Sequence, residues 1–173
     1  MSSASAHFEP RADKVPNARL DLAASSRAWQ CARLSTPAGL DSLAVIADYV
    51  RSVCDRGEVG EGAGLRLRLA VEELSANAIV HGYGERDRAR GRLTLAGGGD
   101  GQGSVSVQLC DSAAPFDPRS LSRNLRLDLP VKDRPVGGLG IHLALTSADE
   151  YRYEYVNSQN RSTLTVWRRA GEH

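Results

Sequence analysis

Residues 71–84 read VEELSANAIVHGYG, and this stretch decides the fold. Glu73, Asn77 and His81 recur at steps of four. In an α-helix that spacing places them on one face, one turn apart. Val71, Leu74, Ala78 and Ile79 lie in the same stretch and call for burial. The helix therefore has a core-facing side with a polar row beside it. Any solvated helix face supplies such a row. A site that must aim a base and a metal ligand at one substrate needs the same row. The stretch alone leaves both readings open.

The chain around it narrows the choice. Its 173 residues suffice for one domain with a sizeable core. Acids and bases balance to a formal charge of +1, which argues against a nucleic-acid surface. No run of 18 apolar residues exists, so no membrane span is expected. The opening segment MSSASAHFEPRADK has no apolar core of the secretory kind, and a cytoplasmic location is expected. Cys31, Cys54 and Cys110 are odd in number, widely spaced and form no CxxC pair. Buried free thiols suit that pattern better than a zinc site or a catalytic cysteine.

Patterning along the chain predicts the elements. Residues 1–27 show no clear period and are expected to form a flexible arm ahead of a domain over 28–170. WQCARLSTP (29–37) alternates as a strand. Leu40, Leu43, Ala44, Ala47 and Val50 then follow helical spacing, with Gly57 as the stop. GEGAG (60–64) predicts a turn before a second helix over about 64–81, ended by Gly82 and Gly84. GRLTLAG (91–97) and SVSVQLC (104–110) read as strands joined by a glycine-rich turn. Residues 119–136 carry charge, leucines, Pro130 and Pro135 and predict a long loop, a feature usually tied to function. YRYEYV and STLTVWRR predict a closing hairpin around NSQN. The sum is an α+β fold: a two-layer sandwich of helices on a mixed, mostly antiparallel sheet.

A second glycine cluster, VGGLGIHLA (136–144), gives the polar row a context. Glycines at a helix start let a phosphate approach unpaired N–H groups and the positive dipole end. A tight turn alone also explains them. In order, the chain offers Glu and Asn a turn apart, an Asp ending a strand, a long loop and a glycine-rich helix start. An Asn amide oxygen suits Mg²⁺, which takes oxygen ligands and substrate phosphates. An Asp carboxylate can accept a hydrogen bond from an adenine amino group. A Glu beside the metal-bound γ-phosphate can act as a base.

EELSANAIVHGYG, CDSAAPFDP and RPVGGLGIHLALTSADEYRYEY resemble the N, G1 and G2 boxes of the histidine-kinase-like (Bergerat) ATPase superfamily. Within it, the sequence is most similar to the bacterial anti-sigma factor serine kinases of the RsbW and SpoIIAB type. The resemblance runs over about residues 28–169. It implies ATP and Mg²⁺ as cofactors, Asn77 as the metal ligand and Glu73 as general base. It implies Asp111 as the adenine-binding acid, and Gly138, Leu139 and Gly140 as the phosphate loop. Thr163 resembles the threonine held near the adenine through water. His81 matches a frequent family residue that lines the phosphate end or packs. Arg134 stands where it could reach a phosphate. The G1 box departs from the family's Asp-x-Gly, reading Asp111-Ser112-Ala113. A Cβ can crowd that turn and disfavours positive φ, which lowers the expected ATP affinity.

The resemblance further implies phosphotransfer to a STAS-type anti-sigma antagonist, competition with an alternative sigma factor, and a homodimer. No nucleic-acid or membrane partner is expected. A different class of function stands beside the kinase: a non-catalytic protein that sequesters a sigma factor or antagonist, with or without nucleotide. Glu73 and Asn77 favour the kinase, and Ala113 favours the binding protein.

Overall fold

The computed structural model describes residues 19–25, 29–83, 90–123 and 138–169. Six strands form one sheet in the order β1-β2-β3-β4-β6-β5. They are β1 Arg19–Ser25, β2 Trp29–Pro37, β3 Arg92–Gly99, β4 Ser104–Asp111, β5 Glu150–Val156 and β6 Gln159–Trp167. The helices are α1 Ser42–Gly57, α2 Glu61–Asn77, the short α3 Arg119–Arg123 and α4 Leu139–Ser147. This is the expected α+β sandwich, with every described strand pair antiparallel.

Alternation explains how the layers meet. In β4 and β6 every second residue is buried, so each strand turns one face to the helices. Leu95, Val107, Leu164 and Val166 from the sheet meet Ile46, Tyr49, Leu67 and Val71 from α1 and α2 in one core. All eight are fully buried. Each such large apolar side chain contributes about 1.5–3 kcal/mol relative to exposure.

Several boundaries differ from the sequence expectation. Residues 19–25, placed in the arm, form β1 and pair along β2. An exposed strand edge recruits a neighbour through its backbone, which needs no side-chain period. The GEGAG turn is largely helix, since α2 begins at Glu61. α1 ends at Gly57 as expected, but the left-handed residue that closes it is Glu58 at φ +52. The role of Gly57 is packing, because a Cβ there would run into the Val105 side chain. Residues 119–123 of the expected loop form α3, and the rest of that segment lies outside the described residues.

Two features set the geometry of the site. The β5–β6 hairpin turns on Asn157 and Ser158 alone, at φ +52 and +58. Two successive positive φ values match the twist of the flanking strands. β6 therefore starts at Gln159, and its second residue, Asn160, pairs with Asp111. At the far end of α4, Asp149 accepts bonds from the Trp167 backbone N–H (2.8 Å), Arg169 (2.8 Å) and Arg66 of α2 (3.1 Å). Burial acts to raise its pKa, but these donors outweigh it and hold the carboxyl below its ordinary value. The bonds tie the C-terminal end of α4 to α2 and β6.

Candidate functional site

A cavity of about 480 Å³ opens between the C-terminal end of α2, the turn after β4, the start of β6 and the start of α4. Its size suits a small-molecule ligand. Asn77, His81, Asp111, Ala113 and Gly138 all line it. Leu74, Leu109 and Phe116 give it apolar wall.

One end of the cavity is densely bonded. Asp111 closes β4 and is buried. Asn160 donates to its Oδ1 at 2.9 Å, and the Ala113 N–H donates to the same oxygen at 2.9 Å. Both bonds fall on Oδ1, so Oδ2 is the oxygen left to accept from a ligand. Burial raises the Asp111 pKa, and the two bonds pull against it. The turn after Asp111 is held from two sides. Asn160 spans its carbonyls and the Phe116 N–H. The Tyr83 hydroxyl accepts from the Ser112 N–H at 3.1 Å and donates to the Arg92 carbonyl at 3.0 Å.

Ala113 fits this turn without backbone strain. It has no positive φ, so the backbone makes no demand for glycine there. Its methyl faces Gly82, where an added Cβ would sit 3.0 Å from it. The space for the alanine comes from the glycine opposite.

The other end is more open. Past Asn77, α2 gives way to one wide π turn over Ala78–Gly82. Single π turns of this kind gather at functional sites. His81 sits in it, exposed, at the cavity wall. Across from it Gly138 takes φ +83 just before α4. An L side chain is strained at that angle, so glycine is required. The N-terminal end of α4, with its unpaired N–H groups and positive dipole, stands at the cavity rim.

Four expected site residues sit differently. Glu73 does not line the cavity. It packs against the first turn of α4, where a Cβ on Gly140 would strike its carboxylate. Gly140 is thus a close-approach residue, not a lining one. Leu139 is 53% exposed and turned away from the cavity lining. Thr163 is on the wrong face of the sheet, accepting from the Gln108 side chain at 3.3 Å. The inward residues of β6 have even numbers, and Ser162 lines the cavity in place of Thr163. Its hydroxyl bonds the Tyr151 hydroxyl at 3.0 Å. Arg134 lies outside the described residues.

Asn160, Ser162 and Tyr83 are the site residues that sequence reasoning missed. Asn160 had a usable signal: a two-residue Asn-Ser turn puts it in β6, whereas a four-residue NSQN turn hides it. Tyr83 had none, since only the fold brings it beside residue 112.

Among the described residues no group of three His, Cys, Asp or Glu could hold a metal ion. A cation here would rely on Asn77, ligand phosphates and water. Mg²⁺ commonly binds that way, through one or two protein oxygens, so the donor set fits it. Among the described residues, no helix is long and apolar enough to cross a membrane. No curated protein matches the chain. The family model of the histidine kinase-like ATPase domain matches residues 36–167, which take in every element around the cavity, and the chain belongs to that family.

Proposed function

We propose that the cavity binds ATP with Mg²⁺ and that the chain is a protein serine/threonine kinase acting as an anti-sigma regulatory factor. In this reading it phosphorylates a STAS-type antagonist and holds an alternative sigma factor, the two partners competing. The observation that carries the nucleotide reading is the meeting of Asp111, Asn77 and Gly138 in one cavity. A buried carboxylate, an amide of the kind that ligates Mg²⁺ and the glycine that starts a helix line the same cavity. The anti-sigma role rests on the resemblance of the three sequence boxes.

Each residue has a stated task. Asp111 Oδ2 accepts a hydrogen bond from the adenine amino group. Apolar Leu109 and Phe116 would give the ring its apolar wall. The Asn77 amide oxygen ligates the cation, and the α4 N-terminus receives phosphate oxygens. Bound ATP supplies the phosphoryl group, and bound Mg²⁺ neutralises its developing charge. Glu73, one turn before Asn77 and against α4, accepts the proton of the attacking hydroxyl.

The test is incubation of the chain with labelled ATP, Mg²⁺ and a STAS-domain antagonist. Label on a serine or threonine of the antagonist supports the kinase. The alternative is a binding protein that sequesters its partner without phosphotransfer. Glu73 standing outside the cavity lining favours that alternative. Tight partner binding with no transfer would establish it.

A further inference from the structure

Among the described residues at the cavity, Asn160 has the most heavily bonded side chain. It is 5% exposed. Its two amide hydrogens are shared among Asp111 Oδ1 (2.9 Å) and the carbonyls of Ala113 (3.3 Å) and Ala114 (3.1 Å). Its oxygen accepts from the Phe116 N–H (3.0 Å) and the Tyr153 hydroxyl (2.8 Å). The demands are of opposite kinds, donors for a carboxylate and carbonyls, an acceptor for an N–H and a hydroxyl. Only a carboxamide meets both from one short side chain.

Resting on the nucleotide reading above, we propose that Asn160 is the positioning residue that sets purine choice. It fixes the Asp111 carboxylate so that Oδ2 faces the cavity as an acceptor. An unrestrained carboxylate can turn about χ2 and present either oxygen. Here two donors converge on Oδ1 and lock the plane. A fixed acceptor suits the adenine amino group and repels the guanine carbonyl at the same ring position. Asn160 also favours the ionised acid by donating to it. If Asp111 were protonated it could donate to that guanine carbonyl, and the preference would weaken.

Among the described residues, the titratable groups whose charge acts on that of Asp111 are Tyr83 beyond α2, Cys110 on the other face of its own strand and Tyr153 on β5, with His81 at the cavity wall. Burial pushes the two phenols and the thiol up, away from neutral pH. ADP and GDP carry the same phosphates, so any group acting there cancels in the ratio of their affinities. The ratio of ADP to GDP affinity therefore isolates Asp111.

The experiment measures ADP and GDP binding, each with Mg²⁺, across mildly acidic to mildly basic pH. The proteins are the wild type, Asn160→Asp and Asn160→Ala. The wild type should prefer ADP by roughly ten- to hundredfold at neutral pH, the scale of one bond to a charged group. Both variants should lose most of that preference. In Asn160→Asp the rise of the ratio with pH should move to higher pH, because a second carboxylate opposes ionisation of the first. A folded variant with the wild-type ratio and pH profile overturns the proposal. So does an equal loss of both affinities at constant ratio, the mark of a purely structural residue. Failure of the wild type to bind either nucleotide at millimolar concentration overturns the nucleotide reading instead, and this inference with it. Should neither variant fold, nuclear magnetic resonance of the wild type decides. The Asn160 side-chain amide signals should titrate with Asp111 and shift on ADP binding, and signals flat to both overturn the proposal.

Discussion

The two ends of the cavity are built by opposite means. At the Asp111 end, buried polar groups are bonded to one another: Asn160, Asp111, the 112–116 turn and Tyr83 form one network. At the Asn77 end the chain uses a π turn, an exposed histidine and a glycine at φ +83. A satisfied buried network is rigid, and it presents a fixed acceptor to a base. An open end with unpaired helix N–H groups gains its partners from the ligand. On the proposed nucleotide reading, the contrast means that recognition is pre-formed beside Asp111, while the side beside Asn77 and Gly138 is completed by what binds.

On the kinase reading the largest expected effect is catalytic and lies just outside the cavity lining, where Glu73 packs against α4. Glu73→Gln keeps the side-chain volume against α4 and removes only charge and basicity. It should bind ATP near normally and transfer phosphate about 10²–10⁴ times more slowly. Single-turnover transfer to the antagonist measures this. A full-speed Glu73→Gln would remove Glu73 as the base.

The next effect sharpens the closed end through pH. Burial raises the Asp111 pKa above its unfolded value. A group raised in the folded state lends stability below its unfolded pKa and withdraws it as pH rises through the folded pKa. Ionised Asp111 thus costs the empty protein stability, and an adenine amino donor offsets that cost. ADP should therefore raise the melting temperature more at neutral than at mildly acidic pH, with affinity falling about tenfold as the acid protonates. Thermal melts at the two pH values check the sign.

Gly138→Ala comes third. An alanine at φ +83 costs about 1–2 kcal/mol. If the strain is relieved by moving the start of α4, nucleotide affinity should drop several-fold while ADP-to-GDP preference stays. A change in preference would mean the two ends are not separable.

The smallest effects separate the two sheet faces. Ser162→Ala should weaken ADP binding a few-fold, the scale of about 1 kcal/mol for a polar contact. Thr163→Ala, on the far face, should leave it unchanged. Ala113→Gly should also leave affinity unchanged, and should lower stability by about 0.5–1 kcal/mol through added freedom in the unfolded chain. Tighter binding by Ala113→Gly would restore the crowding argument.

The same contrast governs what could be read in advance. At the open end, Asn77 and Gly138 were legible as wall residues because each is set locally, one by helix period and the other by a glycine before a helix start. Even so, spacing could not say that Gly140 packs on Glu73 and leaves the cavity. The closed end depends on strand register, which a one-residue uncertainty inverts. The resemblance implied Thr163, which is one residue from the cavity-lining Ser162. Asn160 was hidden because the NSQN turn looked two residues longer than it is. Ala113 looked like a defect because its compensating partner, Gly82, lies on another element. The fold was legible from period and punctuation, except β1, whose pairing is a backbone property.

The most direct test of the account is calorimetry of ADP with Mg²⁺ against the wild type and Asp111→Ala. The account predicts saturable one-to-one binding to the wild type. It predicts a loss of roughly ten- to hundredfold in Asp111→Ala, the worth of a hydrogen bond to a charged group. Absence of binding to the wild type at millimolar nucleotide, or equal affinity in the two proteins, would contradict it.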